Sequence, residues 1–98
     1  MLLKDAIALF LKYLKDEKGY SNHTERSYQV DLGQFASFLR RDNVRFRREK
    51  QSDFSIEEIR GPAVRKYVGS LYGNLKRSTV ARKLSAVRSF FLFLEKGK

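Results

Sequence analysis

The sequence predicts an all-α fold: a compact four-helix bundle in a single domain. Three observations predict it. Apolar residues recur at helical spacing in four separate stretches, bounded by Gly, Pro or a Ser placed to cap. No stretch alternates apolar and polar residues over the length of a strand, and there is no Asn-Gly hairpin dipeptide. The chain has 98 residues, 42% of them hydrophobic, with eight Phe and five Tyr. That length and content can bury one core but not two, and they argue against disorder.

The first stripe is Leu3, Ala6, Ile7, Phe10, Leu11 and Leu14, and predicts a helix from about Leu3 to Lys18. Gly19 follows, where a left-handed residue ends a helix at little cost. Ser21 is a good N-cap for a second helix, with Thr24 and Glu25 in its first turn. Thr24, Tyr28, Leu32, Phe35 and Leu39 carry that helix to about Arg41, with Asp31 and Phe38 beside the stripe and Gly33 within it. Residues 43–54 have no helical period and read as a charged loop anchored by aromatics. Ser55-Ile56-Glu57-Glu58 has capping-box spacing, but Gly61-Pro62 allows it only a short turn. Pro62 suits the first position of a third helix, whose stripe is Val64, Tyr67, Val68 and Leu71. Tyr72-Gly73-Asn74 breaks it.

The fourth stretch, Lys76 to Glu95, carries the chemistry. Val80, Leu84, Val87, Phe91 and Leu94 form its apolar stripe, with Ser78 expected as the cap. Lys83 and Phe90 flank the stripe on one side; Arg77, Ala81 and Arg88 flank it on the other. Ser78, Arg82, Ser85 and Ser89 fall on the opposite face. Small hydroxyls let a backbone approach another surface, and the neighbouring Arg and Lys reach phosphates. An ordinary solvated basic helix shows the same pattern, so this helix alone does not choose between the two.

Charge distribution weighs on the choice. The net charge is +10. Residues 61–98 hold nine basic side chains against the single acid Glu95, so +8 of the total lies there. A basic half joined to a nearly neutral half is a directional surface and points to a polyanion. An anionic membrane ranks lower, because the apolar helix faces are needed for a core and no apolar run is long enough to span a bilayer.

Catalytic chemistry finds no convergent set. His23 is the only histidine, and its spacing to Arg26 opens a helix with no nucleophile beside it. The acids are scattered without metal-ligand spacing, and there is no phosphate-cradling Gly-rich loop. With no Cys, disulfides and thiolate metal sites are excluded, which fits a reducing, cytoplasmic setting. The chain reads as a binding module, with no catalytic residues, metal or cofactor expected.

Two runs carry a family resemblance. The second helix has Ser21-Asn22-His23-Thr24, Ser27-Tyr28, Asp31-Leu32, Phe35 and Phe38-Leu39. The fourth has Ser78-Thr79, Ala81 through Phe91, and Phe93-Leu94. Together they resemble the N-terminal core-binding domain of tyrosine recombinases, of the Xer and phage-integrase type. The resemblance spans nearly the whole chain, with the loop at 43–54 longer and more charged than typical. It implies a four- to five-helix, SAM-like bundle that forms one arm of a clamp on double-stranded DNA, with helices 2 and 4 facing the duplex. It also implies that strand cleavage belongs to a separate C-terminal catalytic domain, expected beyond Gly97-Lys98, and that other recombinase protomers are partners on DNA. The DNA-binding candidates are then Arg77, Ser78, Thr79, Arg82, Lys83, Ser85, Arg88 and Ser89 from helix 4, with His23, Arg26 and Gln29 from helix 2. The alternative reading is a helical protein–protein interaction module for an acidic partner.

Overall fold

A computed structural model describes residues 1–42, 55–59 and 61–96. The expected loop at 43–54 lies outside the described residues. Among the described residues four helices form: α1 (Leu3–Asp16), α2 (Asn22–Asp42), α3 (Gly61–Leu71) and α4 (Arg77–Lys96), with a 3₁₀ turn at Ile56–Glu58 before α3. Among the described residues there is no strand beyond an isolated antiparallel bridge between Leu2 and Ser55.

The helix ends follow local chemistry. Before α2, the Thr24 N–H donates to Ser21 Oγ at 3.2 Å and the Glu25 N–H to the Ser21 carbonyl at 3.0 Å, so Ser21 caps as expected. Gly19, at φ +66°, turns the chain between α1 and α2. Gly73, at φ +88°, does the same between α3 and α4. Two caps differ from expectation. The Val80 N–H donates to the Lys76 carbonyl at 3.0 Å, so α4 begins at Arg77 and Ser78 sits inside its first turn. Ser55 does precede the 3₁₀ turn, but its hydroxyl goes to the Glu57 carboxylate and makes no cap. That hydrogen bond is the main reason the Glu57 carboxyl titrates below its ordinary range. The same segment ties down the N-terminus: the Ile56 N–H donates to the Met1 carbonyl at 2.9 Å, and the terminal ammonium lies 3.7 Å from Glu57.

Helices α2 and α4 each pack against all three others. Leu3, Ala6, Phe10 and Leu14 of α1 meet Leu32, Phe35, Ala36 and Leu39 of α2, Tyr67 of α3, and Val87 and Phe90 of α4 in one core. Phe10 is its hub, with ring centroids 5.8 Å from Tyr28, 5.7 Å from Phe90 and 5.3 Å from Phe93. Tyr67 lies 5.0 Å from Phe35 and 5.3 Å from Phe38, which fastens α3 to α2. Edge and tilted contacts of this kind add to the area that the rings bury.

The inward face of α4 is rotated from the expected stripe. Its buried residues are Val80, Lys83, Ala86, Val87 and Phe90, while Leu84, Phe91 and Leu94 are half-buried. At 100° per residue this is a turn of about 60° toward Lys83 and Phe90. The rotation carries Lys83 inward to an acid on α2, described below.

Two stability measurements check this packing. Phe90, 0% exposed, should lose about 3–5 kcal/mol as Phe90→Ala, and half-buried Phe91 clearly less as Phe91→Ala. Equal losses in urea unfolding would restore the expected stripe. A Cβ added at Gly33 meets nothing within 4 Å, so Gly33→Ala should stabilise α2 by roughly 0.5–1 kcal/mol.

Candidate nucleic-acid interface

The N-terminal half of α2 and the middle of α4 lie side by side and enclose two open clefts. The first, of about 270 Å³, is lined by His23, Thr24, Ser27, Tyr28, Asp31, Arg82, Ser85 and Ala86. The second, of about 240 Å³, is lined by His23, Arg26, Ser27, Val30, Asp31 and Arg82. Arg82 borders both, with its side chain 58% exposed.

Asp31 forms the floor. Its residue exposure is 2%, yet it carries a carboxylate from a position between Tyr28 and Phe35 on the inward side of α2. Two cations from α4 answer it. Lys83 Nζ lies 2.9 Å from Asp31 Oδ1, and Arg82 Nη2 lies 3.2 Å from the same oxygen. Lys83 Nζ also donates to Gln34 Oε1. A buried ion pair is better tolerated when further hydrogen bonds surround it; here Gln34 gives the Lys83 ammonium a second acceptor, and Arg82 gives Asp31 Oδ1 a second donor. The Tyr67 phenol titrates above its ordinary value, because of its burial first and the negative Asp31 second.

The structure brings together His23 and Arg26 of α2 with Arg82 and Ser85 of α4. Arg77 and Ser78 are exposed and Thr79 half-buried in the first turn of α4. Gln29 and Arg88 are exposed but border neither cleft. Ser89 is half-buried and lines a separate cleft with Lys18, Tyr20 and Lys96. Lys83, which flanks the expected stripe and is also a candidate, is 5% exposed, and its ammonium lies against Asp31 and Gln34. Asp31, Ser27 and Gln34 were not among the candidates. A signal existed: Asp31 and Lys83 are charged residues set among inward-facing apolar ones, an arrangement that calls for a partner.

Among the described residues no group of acids, histidines or cysteines could hold a metal ion. No described helix is long and apolar enough to cross a membrane.

Residues 7–98 match the family model for the phage integrase N-terminal SAM-like domain. The chain belongs to that family. It is 41% identical over 93 residues to the tyrosine recombinase XerC of Halalkalibacterium halodurans, covering 94% of this chain and 28% of the relative. It is 40% identical over 85 residues to XerC of Staphylococcus haemolyticus, covering 86% of this chain and 25% of the relative. XerC of Staphylococcus aureus is 39% identical over 83 residues, covering 84% and 24%. The chain thus spans about a quarter of the length of the curated relatives it matches. No solved structure matches it. Family membership accounts for the all-α bundle and associates the domain with recombinases; the family model describes an N-terminal domain, and the relatives are tyrosine recombinases.

The buried pair yields a stability prediction. Asp31→Ala leaves the Lys83 ammonium in the interior with its counter-charge removed, and should cost about 3–5 kcal/mol in denaturant unfolding. A loss under 1 kcal/mol would mean that Lys83 escapes to solvent and that the pair does not set the helix rotation.

Proposed function

We propose that this chain is the DNA-binding arm of a site-specific tyrosine recombinase, holding duplex DNA through α2 and α4 as half of a clamp. The catalytic domain of the parent protein forms the other half, and further protomers on the same DNA are its partners. The reaction is then cytoplasmic, and strand cleavage lies with the catalytic domain. The observation that carries this reading is the single α2/α4 face where His23, Arg26, Arg82 and Ser85 meet. Family membership and the concentration of positive charge in residues 61–98 support it.

The division of labour follows from chemistry. Arg26 and Arg82 neutralise phosphates and fix the register of the protein on the duplex. Ser85 and Ser27 are small, so the sugar–phosphate backbone can approach the helix surface, and the Ser85 hydroxyl can donate to a phosphate oxygen, whereas that of Ser27 donates to the His23 carbonyl. Arg77, Ser78 and Thr79 occupy the first turn of α4, where the helix dipole and the unpaired N–H groups favour an anion. Arg88 and Gln29 would act at the margins and Ser89 toward the end of α4, while Lys83 contributes from beneath the surface.

The test is duplex titration of the chain with circular dichroism as the folding control. Without a catalytic arm, binding should be weak and largely sequence-independent, with Kd on the order of 10⁻⁴–10⁻⁶ M at physiological salt, and should weaken steeply as salt rises. Ser85→Glu places a carboxylate against phosphate and should weaken binding by roughly tenfold or more while the helix stays folded. Arg82→Ala should weaken binding and lower the salt slope by about one unit. Lys12→Ala, on the exposed side of α1, is the control. If Ser85→Glu binds like the parent, or the Lys12 variant loses as much as Arg82→Ala, α4 does not face DNA, and a protein partner with an acidic surface becomes the better reading.

A further inference from the structure

An arginine that contacts phosphate usually starts as a mobile side chain, and ordering it on binding costs affinity. Arg82 is different. Its guanidinium is anchored by Asp31, a carboxylate 2% exposed and itself fixed by Lys83 from the same helix as Arg82. An acid beside a DNA-facing arginine would ordinarily cancel its charge and repel phosphate. Here the buried Lys83 ammonium, at 2.9 Å, already balances Asp31, so one carboxylate against two cations leaves the cluster with a net positive charge. The guanidinium has five N–H donors in a rigid plane and spends one nitrogen on Asp31, which leaves the rest of the fork to the clefts.

We propose that Asp31 is a positioning residue for duplex binding: it holds Arg82 over the α2/α4 cleft in the geometry that receives a phosphate, while Lys83 cancels the charge that holding would otherwise subtract. This rests on the reading that α4 faces DNA. It assigns Asp31 and Lys83 a part in affinity although neither touches the ligand, and it makes Arg82 the pre-ordered arginine of the face, unlike Arg77 or Arg88.

A double-mutant cycle tests it. Asp31→Leu combined with Lys83→Met removes one negative and one positive charge, so the net charge of the chain and its long-range attraction for DNA stay at the parent value. Replacing a buried ion pair by apolar residues of similar size commonly preserves folding. Arg82→Ala is then measured in both backgrounds by titration with a random-sequence duplex. In the parent it should weaken binding by about tenfold, and in the apolar background by less than about threefold, because the unanchored arginine had little left to lose. An equal loss in both backgrounds overturns the proposal and leaves Asp31 a purely structural residue. No loss in the parent overturns it together with the reading that α4 faces DNA, and so separates the two failures. A second measurement needs no variant in the pair. In the unliganded parent, Arg82 guanidinium NMR signals should show slowed rotation about the Nε–Cζ bond relative to Arg77 and Arg88. Equally averaged signals for all three would sink the idea, even if the apolar variant failed to fold.

Discussion

The contact between Asp31 and Lys83 governs how α4 sits on α2. A carboxylate on the inward side of α2 cannot be buried alone, and a lysine nearly two turns into α4 meets the same constraint. Bringing them to 2.9 Å gives each a counter-charge, and the observed rotation of α4 about its own axis is one that allows it. Everything on that helix follows from the angle. Phe90 and Ala86 turn into the core, Leu84 and Phe91 move toward its edge, and Arg82 and Ser85 come to the lips of the cleft. Net stabilisation from such a pair is small or absent, because desolvation offsets attraction. Its effect is on specificity: rotations that separate the charges are the ones made costly.

The aromatic core makes this arrangement stiff. Phe10 reaches from α1 to rings on α2 and α4, and Tyr67 reaches from α3 to Phe35 and Phe38 on α2. Helices α1 and α3 therefore act as buttresses behind the pair of helices that present the clefts. A binding face built on packed helices holds its side chains in register better than one built on loops. The tether of the N-terminus to the 3₁₀ turn adds a further link between the start of the chain and the segment before α3.

The site was only partly legible beforehand. His23, Arg26, Arg82 and Ser85 were identifiable as exposed polar or basic residues on helical faces, and the structure places them together. The burial of Lys83 was not legible, because a helical wheel gives the direction of a side chain but not what lies across from it. At the edge of an apolar stripe, a lysine normally snorkels to water. It does so unless an acid from another element meets it, and Asp31 stands 52 positions earlier. Ser78 was placed as a cap because Ser favours that role, but the backbone enters the helix earlier, at Lys76.

What the sequence determined by itself was local: four helices from their periodicity, the turns at Gly19 and Gly73, the Ser21 cap, the absence of strand patterning and the concentration of positive charge in the second half. Each depends on residues a few positions apart, whose interactions the chain order already specifies. The tertiary structure alone decided which 100° of α4 faces inward, which of its two adjacent cations is buried, and that His23 and Arg82 share a cleft. Those outcomes depend on one carboxylate meeting two cations across a helix–helix contact, and a desolvated charge is satisfied by whatever the fold brings within about 3 Å, however far away it lies in the chain.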